Sequence, residues 1–254
     1  MGTPLDKKRS FTRLELAKDY LRKGEYEAGH QEAMAALRYD PNYDAAYNVL
    51  GLVEYFRALD NFRLMEIRDC LTGVDAEVLR QEFEFYLKKA DSYFAKAIAL
   101  SKNYAEAWSN RGAVALQLGD YPTAVKNFTE ALGHPARLDN IAVTRANLGW
   151  AYFQQGEHVR AAKELRQSLQ FHQQMCVASY RLARVYFARK EWEKALERLN
   201  QASSSNCPIQ EVHLYRMKTL VKLNRTNTLQ QEKASCEAMA PRSCVAAQCR
   251  ALAR

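Results

Sequence analysis

The chain has 254 residues, 48% of them hydrophobic and 11% aromatic, with only 10 Gly and 6 Pro, which excludes both a disordered polypeptide and a turn-rich β-sandwich. Its net charge of +8 comes from 37 basic and 29 acidic residues scattered along the chain, so it describes a solvated basic surface and not a polybasic tract, Lys7-Lys8-Arg9 being the densest run. No apolar stretch nears the ~18–20 residues of a membrane span, and no secretory apolar segment follows Met1.

Residues 1–9 read as an N-terminal tail. From residue 10 onward the chain falls into helix pairs that repeat, the first spanning 10–43 with its internal turn at Gly24 and its close at Pro41. Asn42, Tyr43, Ala46, Tyr47 and Gly51 then recur as Asn103, Tyr104, Ala107, Trp108 and Gly112, each 61 residues later. Against a period of about 34 residues, that offset places about 27 extra residues in the second repeat, 44–104. The extra stretch, about 58–86, keeps helical apolar spacing through Leu79, Phe83, Tyr86 and Ala90. It predicts two elongated helices meeting near Gly73, with Asp75 as an N-cap; the alternative is a break of the first helix at Asp60-Asn61.

The remaining repeats span 105–138, 142–175, 176–209 and 210–243. Gly119 and Gly156 mark the same turn as Gly24, and Pro241 closes the last repeat. Small residues (Gly51, Gly112, Gly149) let helices approach, while the small-then-large pairs Ala90/Phe94, Ala124/Phe128, Ala161/Leu165 and Ala195/Leu199 pack them. Leu16, Tyr20, Leu50 and Tyr152 fill the facing holes. Residues 244–254 read as a capping helix, since a terminal repeat needs a cover.

This pattern resembles the tetratricopeptide repeat (TPR), and the resemblance covers about residues 10–243. It implies an all-α, right-handed superhelix of six repeats with an elongated second repeat and a C-terminal cap. Four of the six cysteines, Cys207, Cys236, Cys244 and Cys249, lie in the last 48 residues, which points to disulfides in an oxidising compartment. Docking the cap on the last repeat favours Cys236–Cys249, with Cys207–Cys244 as a second bridge, although three pairings of these four are open. Cys70 and Cys176 read as isolated apolar fillers.

Catalytic patterns are missing. There is no phosphate-binding glycine loop, no G-x-S-x-G, no H-E-x-x-H and no C-x-x-C, and the five histidines are far apart. The expectation is a non-enzymatic scaffold with no cofactor and no metal. In TPR proteins the first helix of each repeat lines the concave face. Carried onto this sequence, the lining positions include Leu14, Leu21, Asn48, Leu52, Tyr55, Phe56, Leu116, Trp150, Phe153, Tyr180, Arg184 and Phe187. Lys18, Ser109, Ala113, Lys218 and Lys222 stand beside them. So many aromatics imply a trough for an apolar or amphipathic helix. Leu14, Asn48, Leu52, Ser109 and Ala113 stand where TPR co-chaperones place the Lys and Asn of their acidic-peptide clamp, and Lys18 alone does not rebuild it.

The stretches Leu14–Ala28 and Asp40–Leu52 further resemble the type IV pilus pilotins (the PilF, PilW and Tgl family). The tail Cys236–Cys249 resembles the Tgl branch. That resemblance implies a periplasmic lipoprotein on the outer membrane which binds monomers of a PilQ-type secretin and promotes their insertion and oligomerisation. It also implies an N-terminal lipid anchor, absent from this sequence, with residues 1–9 as its trimmed linker, no nucleic-acid partner and a monomeric chain. The alternatives are a generic or cytoplasmic TPR adaptor or co-chaperone for another helical peptide, and an RNA-binding helical repeat.

Overall fold

A computed structural model describes residues 3–67, 74–205 and 207–253, with 61–67 and 74–75 as backbone alone. The described residues form thirteen α-helices and no strand. The helices are α1 (Pro4–Arg22), α2 (Tyr26–Tyr39), α3 (Asp44–Ile67), α4 (Val74–Leu100), α5 (Ala105–Gln117) and α6 (Tyr121–Gly133). After a 3-10 turn at Pro135–Arg137 come α7 (Ile141–Gln154), α8 (His158–Phe171), α9 (Cys176–Ala188), α10 (Trp192–Ser204) and α11 (Glu211–Lys222). A 3-10 turn at Thr226–Thr228 leads into α12 (Leu229–Met239) and α13 (Cys244–Leu252). They group into two compact units, one holding α1–α6 and the other α7–α13.

The chain begins its first helix earlier than the composition of residues 1–9 suggests. Thr3 is the N-cap of α1: its hydroxyl oxygen accepts from the Asp6 amide at 3.2 Å, and the Asp6 carboxylate accepts from the Thr3 amide at 3.0 Å. With Pro4 in the first turn, this reciprocal box fixes the start. The expected tail is therefore helical from Pro4.

Within the five pairs whose turn is described, the helices join through a residue of positive φ. Gly24, Gly119 and Gly156 have φ of 75°, 76° and 78°, and Lys190 and Asn224 adopt φ of 61° and 55° at the corresponding points of later pairs. In the first turn Glu25 N–H donates to Tyr20 C=O at 2.9 Å and Gly24 N–H to Leu21 C=O at 3.1 Å. The left-handed residue thus satisfies two orphan carbonyls at the helix end. Between pairs, the Tyr47 hydroxyl donates to Pro41 C=O at 3.2 Å and Trp108 Nε1 donates to Lys102 C=O at 2.8 Å. Residues matched at one sequence offset do the same work.

Each unit has its own core. In the first, Leu14 and Ala17 of α1 pack with Ala33, Ala36 and Leu37 of α2 and with Ala46, Val49 and Leu50 of α3. Ala58 of α3, Leu87, Ala90 and Phe94 of α4, and Val114 of α5 form the next layer. In the second unit, Ala161, Ala162, Leu165 and Leu169 of α8 meet Leu182, Val185 and Tyr186 of α9, and Ala195 of α10 joins them. All four small-then-large pairs are fully buried, and each large member contributes about 1.5–3 kcal/mol. A Cβ on Gly112 would lie 2.8 Å from the Phe128 ring, and one on Gly149 2.7 Å from Leu165 Cγ. Glycine is what lets these helices close. Leu16, expected to fill a hole, is exposed instead, because Leu14 and Ala17 occupy the buried side of α1.

The long second pair also takes form. α3 runs unbroken through Asp60 and Asn61, against the alternative of a break there, and α3 and α4 hold 24 and 27 residues. Asp75 lies inside α4 and is not its cap. Gly73 falls outside the described residues.

The disulfides partly correct the sequence reading. Cys236 and Cys249 are bridged with Cα atoms 6.6 Å apart, tying α12 to α13. Cys207 pairs with Cys176 at a Cα separation of 5.5 Å, and not with Cys244. The reason lies in the pairing of helices: the start of α9 and the loop after α10 meet at one end of the same helix pair. Cys176 is thus a bridging residue, not a filler. Cys244 is also disulfide-bonded, no cysteine among the described residues is free, and Cys70 falls outside them.

Candidate protein-interaction surfaces

In the second unit, the first helices of three successive pairs, α7, α9 and α11, gather one cluster of rings and cations. Trp150 and Phe153 lie three residues apart on α7 and stack with centroids 4.8 Å apart and planes at 19°. Arg184, on α9, stands over Trp150 at 5.4 Å, Phe153 at 5.7 Å, Tyr180 at 5.8 Å and Tyr215 at 4.1 Å. One of its guanidinium nitrogens donates to the Tyr180 hydroxyl at 2.8 Å. Phe187 makes edge contacts with Tyr215 at 5.3 Å and Trp192 at 4.9 Å. Each cation–ring contact is worth ~0.5–2 kcal/mol according to its desolvation, so the cluster is held from several sides. Burial pushes the Tyr180 phenol up to about 12, which keeps it a neutral acceptor for Arg184.

Sequence reasoning names five members of this cluster: Trp150, Phe153, Tyr180, Arg184 and Phe187. Their placements differ. Trp150, Phe153, Arg184 and Phe187 are half-buried, while Tyr180 is buried at 7% exposure and serves as a wall. Tyr215 was missed, although it touches Arg184, Tyr180 and Phe187. It sits on α11 beside the expected lining positions, where its aromatic character was the one available signal.

In the first unit, the lining positions divide. Leu14 is wholly buried in the α1–α2–α3 core and is therefore no surface residue. Asn48 is also buried, and its side-chain oxygen accepts from Asn110 Nδ2 at 3.0 Å. Leu52 and Tyr55 pack against the layer of Ala58, Leu87 and Phe94. Leu116 is half-buried on α5, and Phe56 is 38% exposed.

Leu21, Asn48 and Leu52 line a pocket of about 430 Å³ with Lys18, Tyr104, Glu106 and Arg137. Arg137 orders its wall: it donates to Ser101 Oγ at 2.6 Å and Asp44 Oδ2 at 3.0 Å, and stacks 4.1 Å from the Tyr104 ring. Burial pushes the Tyr104 phenol and the Glu106 carboxyl upward, and Glu106 accepts from the Asp139 amide at 3.1 Å. Leu21 and Phe56 also border a second hollow beside Gly24 and Tyr26. Among the described residues no group of three or more His, Cys, Asp and Glu side chains is placed to hold a metal ion, and no helix is long and apolar enough to cross a membrane.

Paired helices presenting side chains from every first helix define a repeat scaffold for protein interaction. Two family models, both described as tetratricopeptide repeat, match residues 103–174 and 152–206, so the chain carries tetratricopeptide repeats across residues 103–206. No curated protein matches it in sequence. Among solved structures it is similar to PilF of Pseudomonas aeruginosa, at 17% identity and a TM-score of 0.74 over 97% of this chain and 98% of that one. It is similar also to PilW, a widely conserved type IV pilus biogenesis factor, at 21% identity and a TM-score of 0.70 over 94% and 96%. YrrB, a TPR protein with an unusual peptide-binding site, matches at 14% identity and a TM-score of 0.55 over 86% and 97%. At these identities the likeness is one of fold.

Proposed function

We propose that this TPR protein is a pilotin: a periplasmic scaffold, held at the outer membrane by a lipid anchor, that binds monomers of a type IV pilus secretin and promotes their insertion and oligomerisation. The observation that carries this reading is the half-buried aromatic cluster of Trp150, Phe153 and Phe187 around Arg184. Rings held by one another and by a cation are already ordered before a partner arrives, so little side-chain entropy remains to be lost on binding. An apolar or amphipathic secretin segment laid across them would be kept from aggregating until neighbouring secretin subunits replace the contact. The fold shared with PilF and PilW supports this reading. So do the disulfides, which suit an oxidising compartment.

The test is Trp150→Ala in a secretin-binding assay, with a thermal melt of the same variant. Interface anchors of this kind cost ~2 kcal/mol or more on truncation, so binding should weaken by at least about tenfold while the melting temperature stays near that of the parent. A folded variant that binds secretin and yields normal oligomers would rule the aromatic face out as the site.

A further inference from the structure

Among the described residues, two cations in the second unit lack the counter-ion that several similar side chains have elsewhere. Several half-buried arginines are matched to a carboxylate, among them Arg111 to Asp91 at 2.8 Å, Arg145 to Glu164 at 2.6 Å and Arg216 to Glu232 at 2.9 Å. Arg184 and Lys218 are not. Both stand against the Tyr215 ring, at 4.1 Å and 4.9 Å from its centroid, and their hydrogen bonds go to neutral oxygens. Arg184 donates to the Tyr180 hydroxyl, and Lys218 Nζ donates to Gln248 Oε1 at 3.4 Å. Glu211, at the start of α11, lies near enough to raise the Tyr180 phenol, yet forms no ion pair within 4.0 Å of either cation.

Two like charges sharing one ring in a half-buried site repel each other. Burial, followed by the charge of Arg184, pushes the Lys218 ammonium below its ordinary value. A single anion would relieve both costs. One guanidinium nitrogen donates to the Tyr180 hydroxyl, which leaves further N–H donors for a planar acceptor, and carboxylate is the acceptor that matches them.

We propose that Arg184 and Lys218 form the receptor for one carboxylate of the bound protein, an Asp or Glu side chain on an apolar helical segment that rests against Trp150 and Phe187. This rests on the reading of the aromatic face as the partner site, and it adds the chemistry by which that site sets register. Apolar contact supplies affinity and tolerates sliding. A carboxylate fixed between two cations does not slide.

The experiment uses the full chain and three amphipathic peptides with one Leu/Phe face, identical except for a central Glu, Gln or Lys, titrated by calorimetry. The Glu peptide should bind about tenfold tighter than the Gln peptide, as charge-assisted hydrogen bonds require, and the Lys peptide should bind more weakly than either. In the double variant Arg184→Gln/Lys218→Gln the Glu and Gln peptides should bind equally, whatever affinity the apolar face retains. Lys218→Gln alone should cut the preference by several-fold and serves if the double variant does not fold. Equal binding of the Glu and Gln peptides, or a preference that survives in the variants, would overturn the receptor and leave the apolar site standing. Failure of all three peptides to bind would remove both. An oligothymidylate that outcompetes the Glu peptide would assign the two cations to phosphate instead.

Discussion

Glu54 has no exposed surface, yet it carries a carboxylate between three basic groups drawn from three helices. Lys89 Nζ of α4 lies 2.8 Å away, His30 Nε2 of α2 3.6 Å and Arg57 Nη1 of α3 3.7 Å. Removing one member of a buried ionic group strands the others, at a cost of ~3–5 kcal/mol. Because Lys89, Arg57 and His30 each keep some contact with water, Glu54→Ala should fall at the low end, near ~3 kcal/mol by urea unfolding. His30 adds a pH dependence. Burial, more than any neighbouring charge, holds its imidazole below the ordinary 6.5. The unfolded chain therefore binds a proton near pH 6.5 and the folded chain only at lower pH. Stability from this group is complete above about pH 6.5 and is lost as pH falls through the folded value. His30→Phe should flatten that part of the stability–pH curve, and an unchanged slope would contradict the assignment. At Lys190, which holds φ of 61°, Lys190→Gly should raise stability by about 0.5–1 kcal/mol. Gly24, Gly119 and Gly156 announce this turn in the sequence by residue type. Lys190 does not, and register alone locates it.

At the scale of elements, legibility followed packing density. The small-then-large pairs of α4, α6, α8 and α10 are visible because a helix that closes on a glycine or alanine admits few alternatives. Gly112→Ala should accordingly cost ~1–3 kcal/mol, by forcing the Phe128 ring aside. A cost under ~0.5 kcal/mol would mean the ring relaxes freely. The helix ends were harder to read. Reading residues 1–9 as a linker passed over the box at Thr3 and Asp6, because the capping signal resides in only two side chains. Cys176 escaped for a related reason: the cysteines were grouped by their nearness in sequence, whereas a helix pair brings together residues 31 apart, as the bridge to Cys207 does. Cys176→Ser should lower stability by ~2–4 kcal/mol against the oxidised parent, and the two proteins should converge once both are reduced.

For the molecule as a whole, the repeat register places side chains to within a turn of helix but leaves open which of them water reaches. The same register that put Trp150 and Arg184 on one surface also put Leu14 there, and α1 rotates that leucine into the core it shares with α2 and α3. Tyr215 shows the reverse error: one helical turn before Lys218, its ring reaches Arg184 and Phe187 by its size. The bridge between α12 and α13 gives the repeat array a direction. Arrays whose contacts are mainly between neighbours fray from their ends. One end is sewn shut by Cys236–Cys249, whereas α1 is held by its packing on α2 and α3. Fraying in the oxidised protein should therefore be faster at α1, in the first unit, than at α13, in the second. Hydrogen exchange should show α1 amides opening well ahead of those in α13, and a reductant should let α13 catch up. Equal exchange at both ends before reduction would show that the seam does not set the direction.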